Sequence, residues 1–450
     1  MMETKPEPRS SGRTATVPLL TYVLSYDELG RDVTAQFWLD DVGSALAIAR
    51  ATSEGVPPHL DGGRLVIADG FMSSDHARLE RRGDATVVID AGSRNGTWVN
   101  GRRVVEHRLA DGDVIEVGHS LLCYRVADQT AVAALSVVGD STCLGPTRTV
   151  CPEQAALGAA LRKIGPSREP VLILAETGSG KEEAARAIHR LSCRTGEFRA
   201  VDCGAVPDSL FESTFFGHKK GAFTGAERDR TGEIAAAHAG TLFLDEVGNM
   251  AATSQAKLLR VIESDQVTPV GAAKPERADV RWLAATNADL FNAGDFREDL
   301  LRRLAGYVAH IPPLRQRRED LGILTAHVLA EAGAAAATIA PVAARALFCS
   351  PLPGNIRQLR ATLRSAALLA PDGHITEAHV PATSAALVGP GEPEPAKPRR
   401  AASATAEQVA GALRRTRGNV VRAAELLGTN ARQLYRWIER YQLSLEDFRD

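Results

Sequence analysis

Residues 171–191, VLILAETGSGKEEAARAIHRL, limit what this chain can fold into more than any other stretch. An apolar run leads into a glycine-containing turn and then a helical repeat, the strand–turn–helix setting of a phosphate-binding loop. Gly178 and Gly180 allow backbone N–H groups to close around phosphate oxygens, and the start of the helix adds positive potential. Lys181 stands where an ammonium reaches the outer phosphates of a nucleotide, with Thr177 and Ser179 in the turn and Glu182 on the helix. The general pattern is G-x-x-x-x-G-K-[ST]. Here Ala175 takes the first glycine position and Glu182 follows the lysine, so these letters alone also fit a glycine-rich turn without a ligand.

Two further strands narrow the choice. TLFLDEVG, 241–248, is an apolar strand ending in two carboxylates. Open α/β sheets bind ligands at the carboxyl ends of their strands. Asp245 suits Mg²⁺, directly or through water. Glu246 suits a base that orients or activates attacking water. A lone Asp-Glu pair is more often a solvated loop cap, but this one follows a phosphate loop by about sixty residues. VRWLAATNADL, 280–290, ends in Asn287, whose amide could hold that water or sense the γ-phosphate.

The 450 residues leave room for about three domains of ~150 residues. Residues 1–17 read as a loose tail. From about 20 to 127 come short β-rich runs (YVLSYDE, AQFWLDD, ALAIARA, LVIADG, ARLERR, TVVIDAG, TWVNG and VIEVGHSLLCYRV) broken by Gly, Asp and Asn turns. Such spacing predicts a β-sandwich. Residues 129–147 read as a linker. From 148 to 383 strand and helix patterns alternate and then turn helical, predicting an α/β core with a helical lid. GPGEPEPAKPRR, 389–400, holds six Pro or Gly and cannot pack as an element, which sets a linker at 384–403. Residues 404–450 are helical, opened by a capping box of Thr405 with Gln408.

Net charge is −2, from 53 basic and 55 acidic residues, so no whole-chain excess points to a polyanion. Residues 397–450 differ: eleven basic side chains face six acidic ones, a local +5. No apolar run approaches ~18 residues and the first residues lack an apolar signal core, so neither a membrane span nor secretion is expected. None of the six cysteines forms a C-x-x-C pair; all are expected to be reduced cytoplasmic thiols serving as small buried hydrophobes.

GAFTGA, 221–226, preceded by ESTFFGHKK, makes the central region similar to the AAA+ domain of bacterial enhancer-binding proteins, the activators of sigma-54 RNA polymerase. In that family the hexapeptide contacts sigma-54. The resemblance therefore implies contacts by Gly221, Ala222, Phe223, Thr224, Gly225 and Ala226. The residues themselves suit a movable turn with an aromatic at its tip, which is costly to leave in water unless a partner buries it. A Phe folded back on its own core is the plainer alternative. The resemblance continues through FREDLLRRLAGYVAHIPPLRQRREDL, 296–321, and PLPGNIRQLR, 351–360. It implies ATP and Mg²⁺ as cofactors, Arg297 and Arg303 as arginine fingers, Arg357 as a γ-phosphate contact from the lid, and a hexameric ring. Asp202 stands where the family commonly has an Asn that restrains the catalytic Glu, and Leu352-Pro353 replaces the usual Trp-Pro.

AEQVAGALRRTRGNVVRAAELLGTNARQLYRWIERY, 406–441, is similar to the Fis-type helix-turn-helix of the same family. Helices are expected over about 405–416, 420–427 and 430–440, with Gly428 at the turn. The third helix offers Asn430, Arg432, Gln433, Arg436 and Arg440 to double-stranded DNA, on a two-fold site. SSDHARL, 73–79, and DAGSRNGTWVNG, 90–101, resemble a forkhead-associated (FHA) domain, which binds phosphothreonine. The resemblance implies Ser73, Arg94 and Asn95 as phosphopeptide contacts. Arg50 is the best match to the family's Gly-Arg, and Gly63-Arg64 is a rival. His76 is expected to be a buried structural histidine. A phospho-independent docking module is the alternative. The whole reads as a cytoplasmic ATPase that remodels the sigma-54 closed complex under control of a phosphoprotein or Ser/Thr kinase. Its rivals are a DNA-binding regulator that uses ATP only for assembly, and a remodeller of other proteins.

Overall fold

The computed structural model describes residues 16–39, 43–53, 55–138, 148–287, 290, 296–380, 406–416 and isolated positions from 420 to 443. They fall into two units, residues 1–384 and 385–450.

The first unit opens with twelve strands: β1 (Thr16–Ser25), β2 (Ala35–Trp38), β3 (Ala45–Arg50), β4 (His59–Asp61), β5 (Arg64–Ile67), β6 (Ala77–Arg82), β7 (Ala85–Asp90), β8 (Thr97–Val99), β9 (Arg102–Val104), β10 (Glu106–Arg108), β11 (Val114–Val117) and β12 (Ser120–Asp128). They form two six-stranded sheets, ordered β2-β1-β12-β11-β8-β9 and β10-β7-β6-β3-β5-β4. The predicted sandwich is present. Three of its four shortest strands, β4, β9 and β10, have too few residues for a period to show and were not expected. Between the sheets lie Leu20, Tyr22, Ile48, Leu65, Leu79, Val88, Ile115 and Leu122.

β1 and β12 are buried on both faces. Along β12, Leu122 and Tyr124 enter the sandwich core, while Leu121 and Cys123 enter a different core shared with the lid. Side chains alternate across a strand, so double coverage explains why these runs are almost continuously apolar.

Residues 129–147 are not simply a linker. α1 (Gln129–Val138) continues directly from β12 and packs on α2 (Pro152–Ile164). The apolar, uncharged run QTAVAALSVV gave little period to recognise. Residues 139–147 lie outside the described residues.

The central core is a five-stranded parallel sheet. Its elements are β13 (Val171–Leu174), α3 (Lys181–Leu191), β14 (Phe198–Asp202), α4 (Asp208–Phe215), β15 (Gly217–His218), β16 (Arg230–Thr231), α5 (Glu233–Ala236), β17 (Thr241–Asp245), α6 (Ala252–Ser264), β18 (Gln266–Val267), β19 (Glu276–Arg277), β20 (Arg281–Thr286), α7 (Glu298–Leu304) and β21 (Tyr307–His310). The sheet runs β14-β17-β20-β13-β21. Apolar clusters cover both faces, as a parallel sheet requires. The lid follows as α8 (Leu321–Glu331), α9 (Pro341–Phe348) and α10 (Asn355–Leu369).

In the second unit a helix spans Ala406–Arg415, where the first helix of the helix-turn-helix is expected. Val409, Ala412 and Leu413 share a core with Val420, Ala423, Ala424, Leu434, Trp437 and Ile438. The expected Thr405 cap, Gly428 turn and 384–403 linker lie outside the described residues. Among the described residues no helix is long and apolar enough to cross a membrane. Cys123, Cys151 and Cys203 are buried as expected, but Cys349 is only partly so and Cys193 is exposed. Cys193 takes a left-handed φ of 53° just past the end of α3.

Candidate functional site

The strand order explains where the nucleotide groups meet. β13, β17 and β20 are neighbours in one parallel sheet, so their carboxyl ends open on one edge. The loop after β13 enters α3 through Gly178 and Gly180, at φ 77° and 106°. Ser179 donates its hydroxyl to the Glu176 carbonyl at 2.5 Å, tightening the turn. Lys181 is buried at the helix start and pairs with Glu246; its ammonium also lies 3.5 Å from Asp245. The Asn287 amide N–H lies 3.4 Å from Glu246, and its side chain reaches the Thr177 hydroxyl at 3.5 Å. Thus Thr177, Lys181, Asp245, Glu246 and Asn287 come together at one edge of the sheet.

Glu246 takes a left-handed backbone, φ 48° and ψ 45°, which is uncommon without a glycine. Such conformations persist where surrounding structure fixes them, often at functional positions. Burial pushes the Asp245 carboxyl above its usual range although Lys181 pulls the other way. Asp202 lies beside Asp245 in register on β14 and accepts the Gly204 N–H at 2.9 Å. Glu182 points elsewhere: it pairs with Arg186 one turn along α3, at the surface.

The lid closes over the loop from the other side. Ile356 N–H donates to the Gly178 carbonyl at 2.9 Å, and Arg357 N–H lies 3.4 Å from the same oxygen. A Cβ at Gly178 would run into the Gly354 carbonyl and come 3.0 Å from the Arg357 Cβ. Arg357 therefore starts beside the loop. Four contacts were not singled out from sequence. Arg315 forks onto Glu176 at 2.7 and 2.6 Å, which holds the Glu176 carboxyl below its usual range. Buried Arg317 donates to the Ser179 carbonyl at 2.6 Å. Asn355 donates to the Thr177 carbonyl at 3.1 Å and to Glu176 at 3.2 Å. In RQRRED nothing separates these arginines from a solvated basic run.

Arg297 and Arg303 sit at the start of α7 and within it. Both are exposed, paired with Asp299 at 2.6 Å and Glu263 at 3.6 Å. The hexapeptide 221–226 lies on the turn between β15 and β16, with Gly221 and Gly225 at φ 81° and 100°. Gly221 N–H donates to the Ala226 carbonyl at 2.8 Å, and Ala226 N–H to Phe223 at 3.0 Å, closing a small ring that also holds Ala222 and Thr224. Phe223 is 44% exposed, its ring edge-on to His218 at 4.9 Å. It neither folds into the core nor dissolves freely; one edge is anchored and the rest faces water.

On the sandwich, loops bring the expected phosphopeptide residues to one edge. Arg94 N–H donates to the Ser73 hydroxyl at 3.1 Å, Arg50 N–H to the Ser73 carbonyl at 3.2 Å, and the Asn95 amide to the Phe71 carbonyl at 2.7 Å. The rival Arg64 instead pairs with Asp75. His76 is fully buried, accepting Ser73 N–H on Nδ1 at 3.1 Å with Nε2 3.2 Å from the Gly96 carbonyl. Burial lowers its pKa, as expected of a structural histidine. Asp90 receives the Ser93 and Thr97 hydroxyls at 2.5 and 2.7 Å, fixing the 91–97 loop. The DNA candidates Asn430, Arg432, Gln433, Arg436 and Arg440 lie outside the described residues.

Four family models match in chain order. They are an FHA domain over 61–118, a Sigma-54 interaction domain over 151–310, an AAA+ ATPase lid domain over 315–393, and a bacterial regulatory protein of the Fis family over 406–441. The Nif-specific regulatory protein of Herbaspirillum seropedicae is 43% identical over 49% of this chain and 42% of its own length. The transcriptional regulatory protein GlrR of Escherichia coli K12 is 37% identical over 64% of this chain and 66% of its own. The chain thus spans less than two thirds of either relative. A crystal structure of NtrX from Brucella abortus in complex with ATP is 29% identical, covering 65% of this chain and 68% of that one, with a TM-score of 0.48.

Proposed function

We propose, from the premise that this chain belongs by its central domain to the sigma-54-interacting AAA+ regulators, that it is a DNA-bound activator that uses ATP hydrolysis to open sigma-54 promoters. One observation carries the reading. Lys181, Asp245, Glu246, Asn287 and Thr177 converge at the carboxyl edge of the sheet, in a domain that also holds Phe223 out on a hairpin tip.

The residues do separable work. Lys181 would exchange its pairing with Glu246 for the outer phosphates, and Glu246 would then orient the attacking water. The donor set fits Mg²⁺, since Asp245 offers a hard oxygen and such an ion needs only one or two carboxylates beside the phosphates. When bound, the ion would neutralise charge on the phosphates. Asn287 would position water or sense the γ-phosphate, and Arg357 would follow it from the lid. Arg297 and Arg303, whose side chains pair with surface acids, would serve the neighbouring protomer of a hexameric ring. Through the hairpin 221–226, turnover would be delivered to sigma-54. The carboxy-terminal helices would hold double-stranded DNA, and the sandwich edge would dock a phosphothreonine protein in the cytoplasm.

The test is Phe223→Ala in a promoter-opening assay with sigma-54 holoenzyme. ATP turnover should stay near wild type while open complexes fall about thirty-fold, the scale of losing a buried aromatic anchor. Normal opening would refute the coupling. A second reading, ATP as an assembly signal only, draws on Asp202, a carboxylate at a position where an amide is usual. It requires that specific ATPase activity not rise with protein concentration.

A further inference from the structure

The sandwich and the lid are not independent beads. Val23, Leu24, Tyr26, Leu29, Leu121 and Cys123 share one core with α8, α9 and α10 of the lid. Backbone bonds cross the boundary, from Ile339 N–H to the Tyr26 carbonyl at 2.8 Å and from Leu29 N–H to the Ala337 carbonyl at 3.1 Å. Gly322 of α8 lies under the Val23 carbonyl so closely that a Cβ would overlap it.

Arg125 on β12 stands at the centre of this boundary and is 4% exposed. Its guanidinium donates to Asp111 at 2.8 Å on the sandwich and to Glu153 at 2.9 Å at the start of α2. It also donates to the Gln316 carbonyl at 2.7 Å and to the fully buried Glu319. Gln316 and Glu319 lie in the short strip joining core to lid. That strip is stiffened by successive tight turns, Arg317 N–H to Leu314, and Asp320 N–H to Arg317, at 3.1 and 3.0 Å. Two residues of the same strip, Arg315 and Arg317, grip Glu176 and the Ser179 carbonyl of the phosphate loop. A strip seven residues long thus has one side held by the sandwich and the other holding the nucleotide loop. At its lid end Asp320 accepts Val150 N–H at 2.8 Å and the Thr149 hydroxyl, so the segment entering α2 braces it too.

We infer that Arg125, a residue of the amino-terminal sandwich, is a positioning residue of the nucleotide site, acting through Gln316 and Glu319 on the Arg315–Arg317 grip of the phosphate loop. The inference rests on the nucleotide reading above. It makes the sandwich part of the nucleotide machinery in cis, so that anything pulling β12 from the strip loosens the loop. Positioning of this kind acts on nucleotide affinity rather than on the chemical step. A misplaced loop binds phosphate poorly, while a site that does fill still holds Glu246 in place.

The experiment uses the full chain and measures ATP affinity, kcat and KM for ATP, and Tm. Removing Arg125 alone would strand the Glu319 charge, so the main variant is Arg125→Met with Glu319→Leu, which removes both charges at similar volume. The expected result is a folded protein with affinity about ten-fold weaker, KM raised in step and kcat within about two-fold. Arg125→Lys, which keeps the charge but loses the fork, should weaken affinity about three-fold. That variant decides the matter if the double variant does not fold. A control comes from another ion pair of the same boundary, Arg345 with Glu116 at 2.8 and 2.6 Å, for which no bond to the strip is present among the described residues. Arg345→Met with Glu116→Leu should leave affinity within about two-fold. Wild-type affinity in folded Arg125 variants overturns the inference, as does an equal loss in the Arg345 pair. Wild-type affinity in Lys181→Ala would instead overturn the nucleotide reading itself.

Discussion

The nucleotide site and the sandwich edge both face phosphate in the proposed function, yet they are built oppositely. At the nucleotide site Lys181 is buried and already paired with half-buried Glu246 and Asp245. At the sandwich edge Arg50 and Arg94 are exposed, and their backbones are fixed through Ser73. A site that does chemistry needs groups preorganised away from water, where electrostatics are strong. A recognition edge needs rigid loops beneath cations that can swing onto a ligand. The difference predicts where single changes will hurt most.

The largest effect falls on chemistry. Glu246→Gln should lower ATP turnover about 10²–10⁴-fold while leaving ATP affinity near wild type, read by steady-state kinetics beside calorimetry. If turnover survives, the paired site is not catalytic and the contrast with the edge fails.

Gly178→Ala comes next. A methyl there meets a lid carbonyl, and the left-handed backbone costs a non-glycine residue about 1–2 kcal/mol. Nucleotide affinity should fall more than ten-fold with a modest loss of Tm. An unaffected affinity would show that the lid does not close on the loop in this way.

At the edge, Arg94→Ala should weaken a phosphothreonine peptide about ten- to a hundred-fold, the worth of a charge-assisted hydrogen bond. ATP affinity and Tm should hardly move. If phosphorylated and unphosphorylated peptides bind alike to the unaltered protein, the edge is a phospho-independent dock.

The smallest effect is a pH dependence. Burial lowers the His76 pKa below its ordinary 6.5, so the unfolded chain takes up a proton first as pH falls. Stability is then full above about pH 6.5 and is lost as pH drops through the lower folded value. The bond geometry gives the same sign. Nδ1 accepts Ser73 N–H, and protonation would set donor against donor. Thermal melts at pH 5.5 and 7.5 should show the wild type losing more than His76→Gln. An equal loss in both would assign the sensitivity elsewhere.

Legibility followed the same divide. The strands ending at Asp245 and just before Asn287 could be read because apolar runs stop at polar residues of defined chemistry. The sandwich strands could be read from their turns. Arg315, Arg317 and Asn355 could not, because nothing local distinguishes an arginine that will meet a carbonyl 138 positions away from one that meets water. α1 was missed because its run carries no polar face. The exposure of Cys193 depended on where the chain turned after α3.

By itself the sequence determined the inventory of this protein, a phosphate loop, a carboxylate-ended strand, a Phe-tipped hairpin, a turn-rich sandwich and a basic helical end. Those are local properties, set by period, turn residues and side-chain chemistry within a few positions. Tertiary structure decided what each part touches: which arginines hold the loop, which face of β12 belongs to the lid, and that two domains share one core. Burial and long-range pairing depend on packing every segment at once, and no window of residues contains that sum.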